Sequence, residues 1–178
     1  MKASNFLNTV VWLQGDRKWR GQIADIRVRD HTVDCFVLSE GGLFSRAQIF
    51  LPGSVTEAAY DHIAVASDAA ICRLSKRAFR ERLAGTHSVF GVRVRDVDGD
   101  YFARTADAVI GNDYHVKEYE LSRSFFDDLD RGYGIVPAAE LTLAVDGALV
   151  YAKDMLAIQE TGREGGVIKK LLGEENGR

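Results

Sequence analysis

Apolar and polar residues alternate in several short segments of the first half of the chain, the pattern of half-buried β-strands. In residues 23–28, Asp25 and Arg27 separate the apolar positions, and in residues 33–38, Val33, Cys35 and Val37 occupy every second position. Clusters of glycine and aspartate between such segments predict tight turns. The pattern therefore predicts mainly β structure, with strands over residues 9–13, 23–28, 33–38, 47–51 and 63–66.

The same order of elements returns in the second half, with strands predicted over residues 92–97, 106–110, 116–121, 134–136 and 148–152. A turn glycine precedes a proline by 37 residues in the first half (Gly15 to Pro52) and by 38 in the second (Gly99 to Pro137). The next strand centres, Ile63 and Leu149, follow those prolines by 11 and 12 residues. Recurring spacing indicates an internal duplication. Two unrelated β-meanders are the alternative.

Small matched pairs support the duplication. Ala24-Asp25 in the first half corresponds to Ala106-Asp107 in the second, and Leu38-Ser39 corresponds to Leu121-Ser122. We therefore predict a first domain over residues 1–66, a helical linker over 67–85, a second domain over 86–153 and a partly flexible tail with short helices over 154–178.

The predicted linker helix is amphipathic and basic. Ser67 or Asp68 is suited to cap its first turn, and Gly85 to end it. Apolar residues recur at helical spacing along one side, and the other side carries Arg73, Lys76, Arg77, Arg80 and Arg82. This basic side either packs against the acidic half of the chain or binds an external acidic surface.

The charge of the chain is unevenly distributed. The 178 residues are 46% hydrophobic and 28% charged, which is typical of globular proteins and excludes global disorder. Residues 1–84 contain 12 Lys and Arg against 9 Asp and Glu, a net +3, whereas residues 85–178 contain 11 against 17, a net −6. The overall charge of −3 is the sum of the two. It does not indicate a nucleic-acid-binding protein.

Cysteine content and hydropathy predict a cytoplasmic protein without an integral membrane segment. The two cysteines, Cys35 and Cys72, are too few for a disulfide scaffold, which suits a reducing compartment. The longest stretch without a charged residue, residues 3–15, has 13 residues and is too short to cross a bilayer. Nothing at the start resembles a signal peptide.

Each half resembles a PRC-barrel domain, the small β-barrel of the photosynthetic reaction-centre H subunit and of ribosome maturation factors. The first half carries Gly-Gln-Ile-Ala-Asp-Ile at residues 21–26 and Ile-Phe-Leu-Pro-Gly-Ser-Val at residues 49–55. The second carries Thr-Ala-Asp-Ala-Val-Ile at residues 105–110 and Ile-Val-Pro-Ala-Ala-Glu-Leu at residues 135–141, with Ala103 in place of Gly21. The resemblance implies two small barrels in tandem that dock partners and do not catalyse reactions.

No catalytic, cofactor-binding or metal site is predicted. Asp96, Asp98 and Asp100 occupy alternate positions as in a calcium loop, but Tyr101 stands where such a loop needs glycine, and the flanks are predicted strands. We therefore expect a hairpin turn. The four histidines are isolated in sequence and are expected in solvated turns, and Cys35 is expected as a core thiol.

Two features are candidates for an interface. The first is the basic side of the linker, at Arg73, Lys76, Arg77 and Arg80, and the second is the adjacent pair Phe125 and Phe126, which either plugs a barrel end or forms a docking patch. We predict a non-enzymatic adaptor that docks a protein partner, at a membrane-associated complex or elsewhere, with homodimerisation left open. The alternative is a ribosome- or RNA-associated maturation factor.

Overall fold

The computed structural model describes residues 1–15, 18–39, 47–59, 61–123, 132–153 and 158–160. Within these ranges the protein is mainly β, as predicted, with two curled sheets and one α-helix. The chain divides into two compact units. The first comprises the described residues of Met1–Val89 together with Ile110–Val116, and the second comprises Phe90–Val109 and the described residues from Lys117 onward.

The first sheet belongs to the first unit and has the strand order β5-β6-β1-β2-β3-β4-β7, with β8 paired to β2. Strands β1 and β6 are parallel, and the other pairs are antiparallel. The strands are β1 (Val10–Leu13), β2 (Trp19–Arg29), β3 (Thr32–Ser39), β4 (Ala47–Phe50), β5 (Val55–Ala58), β6 (His62–Val65), β7 (Ile71–Leu74) and β8 (His87–Ser88).

The core of the first unit follows the predicted alternation only in part, because in β3 Phe36 and Leu38 are buried whereas Val37 is half-buried. Ile23, Ile26 and Val28 of β2 are fully buried, and Phe36 of β3 stacks on Phe50 of β4 with ring centroids 4.9 Å apart. The alternation is interrupted between Ile23 and Ile26, where the register of β2 against β3 shifts by one residue. Here Asp25 Oδ1 accepts a hydrogen bond from the backbone N–H of Ile26 at 2.8 Å, so the aspartate stabilises the irregularity.

The linker differs from the prediction of one helix over residues 67–85. Asp68–Ala70 form a short 3₁₀ turn, Ile71–Leu74 form β7, and only Lys76–Arg82 form the α-helix α1. Residues 71–74 are extended because they pair with β4 at the sheet edge, which satisfies their backbone hydrogen bonds and buries Ile71. The cap of α1 is Ser75, whose Oγ accepts a hydrogen bond from the N–H of Ala78 at 3.2 Å. Neither Ser67 nor Asp68 is that cap.

The first unit extends beyond the predicted boundary at residue 66. Both β7 and β8 pair with strands of the first sheet, so the linker is part of this unit. Residues 110–116 also belong to it. The N–H of Val116 donates to the carbonyl of His31 at 2.8 Å, and the ring of Tyr114 meets that of Phe36 edge-on at 6.2 Å.

The second sheet has the order β13-β14-β9-β10-β11-β12-β15, which reproduces the seven-strand order of the first sheet position by position. Its β14–β9 pair is parallel, as is β6–β1 in the first sheet. The strands are β9 (Arg93–Arg95), β10 (Tyr101–Ile110), β11 (Val116–Ser122), β12 (Gly134–Pro137), β13 (Leu141–Leu143), β14 (Leu149–Tyr151) and β15 (Gln159–Glu160).

The strand registers match the positions that the sequence spacing paired. Val11 lies opposite both Gly21 and Ile63, and in the second sheet Val94 lies opposite both Ala103 and Leu149. Asp107 Oδ1 accepts a hydrogen bond from the N–H of Ala108 at 2.8 Å, as Asp25 does from Ile26. The predicted repetition of elements is therefore present in strand order and in register.

Most of the predicted tail lies outside the described residues. Of residues 154–178, the structure describes 158–160, where Ile158 is buried and Gln159–Glu160 form a strand, so the short helices predicted in the tail do not include Gln159 or Glu160. No helix in the described part of the chain has both the length and the apolar character that crossing a bilayer requires.

Candidate functional site

The helix α1 presents three of the predicted interface cations to solvent. Lys76, Arg77 and Arg80 are all exposed. The guanidinium of Arg77 pairs with Glu81 one turn later, with Nε and Oε1 2.8 Å apart. Within the described residues, no ion pair or hydrogen bond holds the side chain of Lys76 or of Arg80. Since these two stand four residues apart, they form one exposed cationic ridge on the helix.

Arg73, the fourth predicted interface cation, lies on β7 rather than on the helix. Its two terminal nitrogens contact the carboxylate of Asp68 at 3.3 and 3.1 Å. Asp68 also lies 2.9 Å from Nε of Arg20. The hydrogen bond from Arg73 and the positive charges around it lower the pKa of Asp68. Arg73 is therefore engaged within its own unit, and it contributes less charge to the surface than the sequence predicts.

A network of arginines fixes α1 against the first sheet. Arg82 Nη1 donates to Asp34 Oδ2 at 2.6 Å, and Arg29 Nε donates to the other oxygen of Asp34 at 3.3 Å. Arg29 also donates to the carbonyl of Ala84, just after the helix, at 3.1 Å. Burial would raise the pKa of Asp34, but the hydrogen bonds and charges of Arg82 and Arg29 outweigh it, so its pKa is lowered. This network holds the helix with Lys76 and Arg80 outward.

The basic residues of the linker thus fall into two groups, and the carboxylates that Arg73 and Arg82 contact, Asp68 and Asp34, belong to the first half of the chain and not to the acidic half. Arg73 and Arg82 are used for internal packing, whereas Lys76, Arg77 and Arg80 face solvent. The other predicted interface residues, Phe125 and Phe126, lie outside the described residues.

The aspartates at residues 96–100 form a turn, as predicted. Asp96 Oδ1 accepts a hydrogen bond from the N–H of Asp100 at 2.9 Å, and Gly99 has a φ of +99°, which favours glycine. The turn connects β9 to β10, so neither flank is helical. The described residues contain no group of three His, Cys, Asp or Glu side chains that could hold a metal ion.

His87 contradicts the expectation that the histidines lie in solvated turns. It is 5% exposed, because β8 pairs with β2 and places it opposite Val28. Burial, together with the positive charges of Arg27 and His31, lowers its pKa to about 4. Cys35 is fully buried as expected for a core thiol, and burial raises its pKa to about 12.

A second cationic surface, on the second unit, was missed by the sequence reasoning. Arg93, Tyr101, Arg104 and Arg123 line an open groove of about 370 Å³ across β9, β10 and the end of β11. These residues are dispersed over 31 positions of an acidic half-chain, so no local run of charge reveals them. Only the strand register indicates the site, because it sets Arg93 directly opposite Arg104.

The first unit has a cleft of different chemistry. It measures about 550 Å³, and its lining includes Trp12, Glu57, Asp61 and His62. His62 Nδ1 lies 2.8 Å from Asp61 Oδ1, and this hydrogen bond lowers the pKa of the Asp61 carboxyl. The exposed Asp61–His62 pair makes the rim polar.

Neither the comparison with protein-family models nor the comparison with curated proteins found a match to this chain.

Proposed function

We propose that this chain is a non-catalytic adaptor built from two PRC-barrel-like repeats, and that it docks an acidic protein surface through α1. The observation that carries the proposal is the exposed cationic ridge of Lys76 and Arg80 on a helix anchored by the Arg82–Asp34 ion pair. A cationic ridge on a fixed backbone is suited to recognise carboxylates of a partner.

The anchoring of α1 matters for affinity. Binding through a mobile segment costs conformational entropy, whereas a helix already held in place avoids that part of the cost. Asp34 belongs to β3 and Arg82 to α1, so their 2.6 Å contact joins the helix directly to the sheet. Loss of this contact would loosen the ridge while leaving Lys76 and Arg80 themselves unchanged.

The repeated strand order supports the tandem architecture. Both sheets place seven strands in the same order, each with one parallel pair at the same position. The PRC-barrel resemblance implies docking modules for this architecture. In the first repeat, β7 is followed directly by α1, which gives this repeat a surface that its strands alone do not provide.

The test is a pull-down in which this protein is immobilised and the amount of partner protein that it captures is measured at low and at high salt. Wild type is compared with the double variant Lys76→Gln/Arg80→Gln and with a matched control, Lys117→Gln/Lys153→Gln, which neutralises two exposed lysines of the second unit. We expect the first variant to capture about tenfold less partner than wild type, because its lost contacts are charge pairs. The control should capture as much as wild type. Equal capture by wild type and the first variant contradicts docking through α1.

A ribosome- or RNA-associated factor would also use Lys76 and Arg80. The pull-down is therefore repeated after nuclease treatment, and binding to ribosomal particles is measured by co-sedimentation. Phosphate contacts also weaken with salt, so salt dependence alone does not separate the two functions. Partner capture that survives nuclease supports the adaptor. Salt-sensitive co-sedimentation with ribosomal particles that is lost with Lys76→Gln/Arg80→Gln supports the alternative instead.

A further inference from the structure

The groove on the second unit contains a pair of like charges that the fold does not neutralise. Arg93 on β9 and Arg104 on β10 are direct antiparallel partners, and both are exposed. Directly opposed residues have Cβ atoms about 5 Å apart, and like charges at this distance destabilise a sheet. Among the described residues, no carboxylate forms an ion pair with either guanidinium.

Tyr101 completes this surface. The guanidinium carbon of Arg93 lies 5.4 Å from the centre of the Tyr101 ring, a cation–π distance, and 51% of Tyr101 remains exposed. The contact orients Arg93 but leaves its charge in place. The groove therefore presents two positive charges and an aromatic surface side by side.

The first repeat shows that the scaffold does not require these arginines. In the second sheet, the Arg93–Arg104 pair is the neighbour of the Val94–Ala103 pair. In the first sheet, the corresponding neighbour of the Val11–Gly21 pair is Val10 opposite Gln22. The aromatic position, in contrast, is shared, because Trp19 begins β2 as Tyr101 begins β10. Since the same backbone accommodates a neutral pair, the arginine pair is a feature of the second surface and not of the fold.

We infer that this groove binds an acidic peptide segment of a partner protein, with a carboxylate held between Arg93 and Arg104. The inference rests on the proposed docking function and gives the second repeat a binding surface of its own. Two guanidinium groups converging on one carboxylate provide charge-assisted hydrogen bonds. The exposed ring of Tyr101 adds an apolar contact for the neighbouring peptide residue.

The surroundings favour a short acidic peptide over a nucleic acid. Residues 85–178 carry a net charge of −6, and carboxylates stand at the groove margins. Asp146 lies 3.7 Å from Arg95 and accepts from the hydroxyl of Tyr101 at 3.4 Å, and Glu160 lies 3.6 Å from Arg123. A phosphate backbone extending past the arginines would meet these negative charges, whereas one or two carboxylates need only the local pair.

The test is the binding of two fluorescent probes to the full chain at low salt, one a short peptide with two adjacent carboxylates beside an apolar residue and the other a single-stranded RNA of similar length. Wild type is compared with Arg104→Gln, with Arg93→Gln, with the matched control Lys117→Gln/Lys153→Gln, and with Lys76→Gln/Arg80→Gln, the α1 variant, which detects binding at the helix. We expect the peptide to bind, each groove variant to weaken it by about tenfold, and the Lys117→Gln/Lys153→Gln control to leave it unchanged.

The outcomes separate this inference from the proposed function. Loss of peptide binding in the α1 variant, with the groove variants unaffected, overturns the groove but not docking by α1. The peptide assignment is overturned if RNA binds more tightly than the peptide and its binding depends on Arg93 and Arg104 in the same way. It is also overturned if the peptide does not bind to wild type. The melting temperature of the Arg104→Gln variant should be no lower than that of wild type. A lower melting temperature would identify a variant that binds weakly because it is destabilised.

Discussion

The two repeats share a backbone plan and differ in what they place on it. Both sheets have the same strand order, and Asp25 and Asp107 each accept a hydrogen bond of 2.8 Å from the backbone N–H of the next residue. At one equivalent surface position the first repeat has Val10 opposite Gln22, and the second has Arg93 opposite Arg104. The buried positions therefore maintain the fold, while the outer face carries a different chemistry in each repeat.

The interiors also differ at one equivalent position. Leu38 lies opposite Gln48 in the first sheet, and its counterpart Leu121 lies opposite Gly134 in the second. Gln48 is 1% exposed, and within the described part of the chain both polar atoms of its side chain lack a hydrogen-bond partner. At Gly134 a Cβ would stand 2.8 Å from a methyl carbon of Ile158. One repeat thus tolerates a buried polar group, and the other has no room for any side chain.

The largest expected effect tests whether the shared core positions are equivalent. Phe36 and Tyr119 are fully buried on corresponding strands, opposite Phe50 and Val136. Phe36→Ala and Tyr119→Ala should each lower the free energy of unfolding by about 3–5 kcal/mol, because each leaves a large cavity. Chemical denaturation measures both. A loss below about 1 kcal/mol at either position would mean that the two cores are not built alike.

A pH effect should be specific to the first unit, where His87 is buried on β8. Its pKa is lowered to about 4, so between pH 6.5 and 4 the unfolded chain binds a proton that the folded chain does not. Stability is therefore lost as the pH falls through this window, by about 3 kcal/mol in all. Denaturation at pH 7 and pH 4.5 measures the loss. His87→Leu should reduce this pH dependence, and an unchanged dependence would assign it to other groups.

Opposite signs are expected at the equivalent positions Gln48 and Gly134. Gln48→Met should stabilise the protein by about 1–2 kcal/mol, because it removes buried polar atoms that have no partner among the residues that the structure describes. Gly134→Ala should destabilise it by about 1–3 kcal/mol, because the new methyl group must displace Ile158. Thermal and chemical denaturation of the two variants check the signs. A destabilising Gln48→Met would indicate that the amide has a role in the folded protein.

The smallest expected effect makes the second surface resemble the first. Arg104→Gln reproduces the polar residue found at Gln22 and removes a like-charge contact with Arg93. It should raise the free energy of unfolding by about 0.2–1 kcal/mol, and the gain should shrink as salt screens the repulsion. Denaturation at low and high ionic strength measures this. A gain that does not respond to salt would show that the repulsion is not its cause.

The fold was more predictable than the candidate sites. The apolar segment around Asp25 and the turn glycine at residue 15 are local patterns, and they correspond to the observed strand β2 and to a turn in which Gly15 has a φ of +110°. The prediction of a helix over residues 67–85 was wrong at residues 71–74. The apolar spacing of these residues also suits a strand, and pairing with β4 decides between helix and strand. His87 was misplaced for the same reason, since its burial comes from pairing with a strand that lies far away in sequence.

Local pattern was sufficient for ten of the fifteen strands in the described residues, for the turns and for the repetition, because alternating burial and glycine turns depend on neighbouring residues. It did not predict β5, β7, β8, β13 or β15. It also identified the exposed cations of α1, although not that Arg82 and Asp34 hold them in place. The groove required the tertiary structure. Arg93, Arg104 and Arg123 become neighbours only when three strands align in one register, and that alignment is fixed by non-local backbone pairing and not by the residues that flank each arginine.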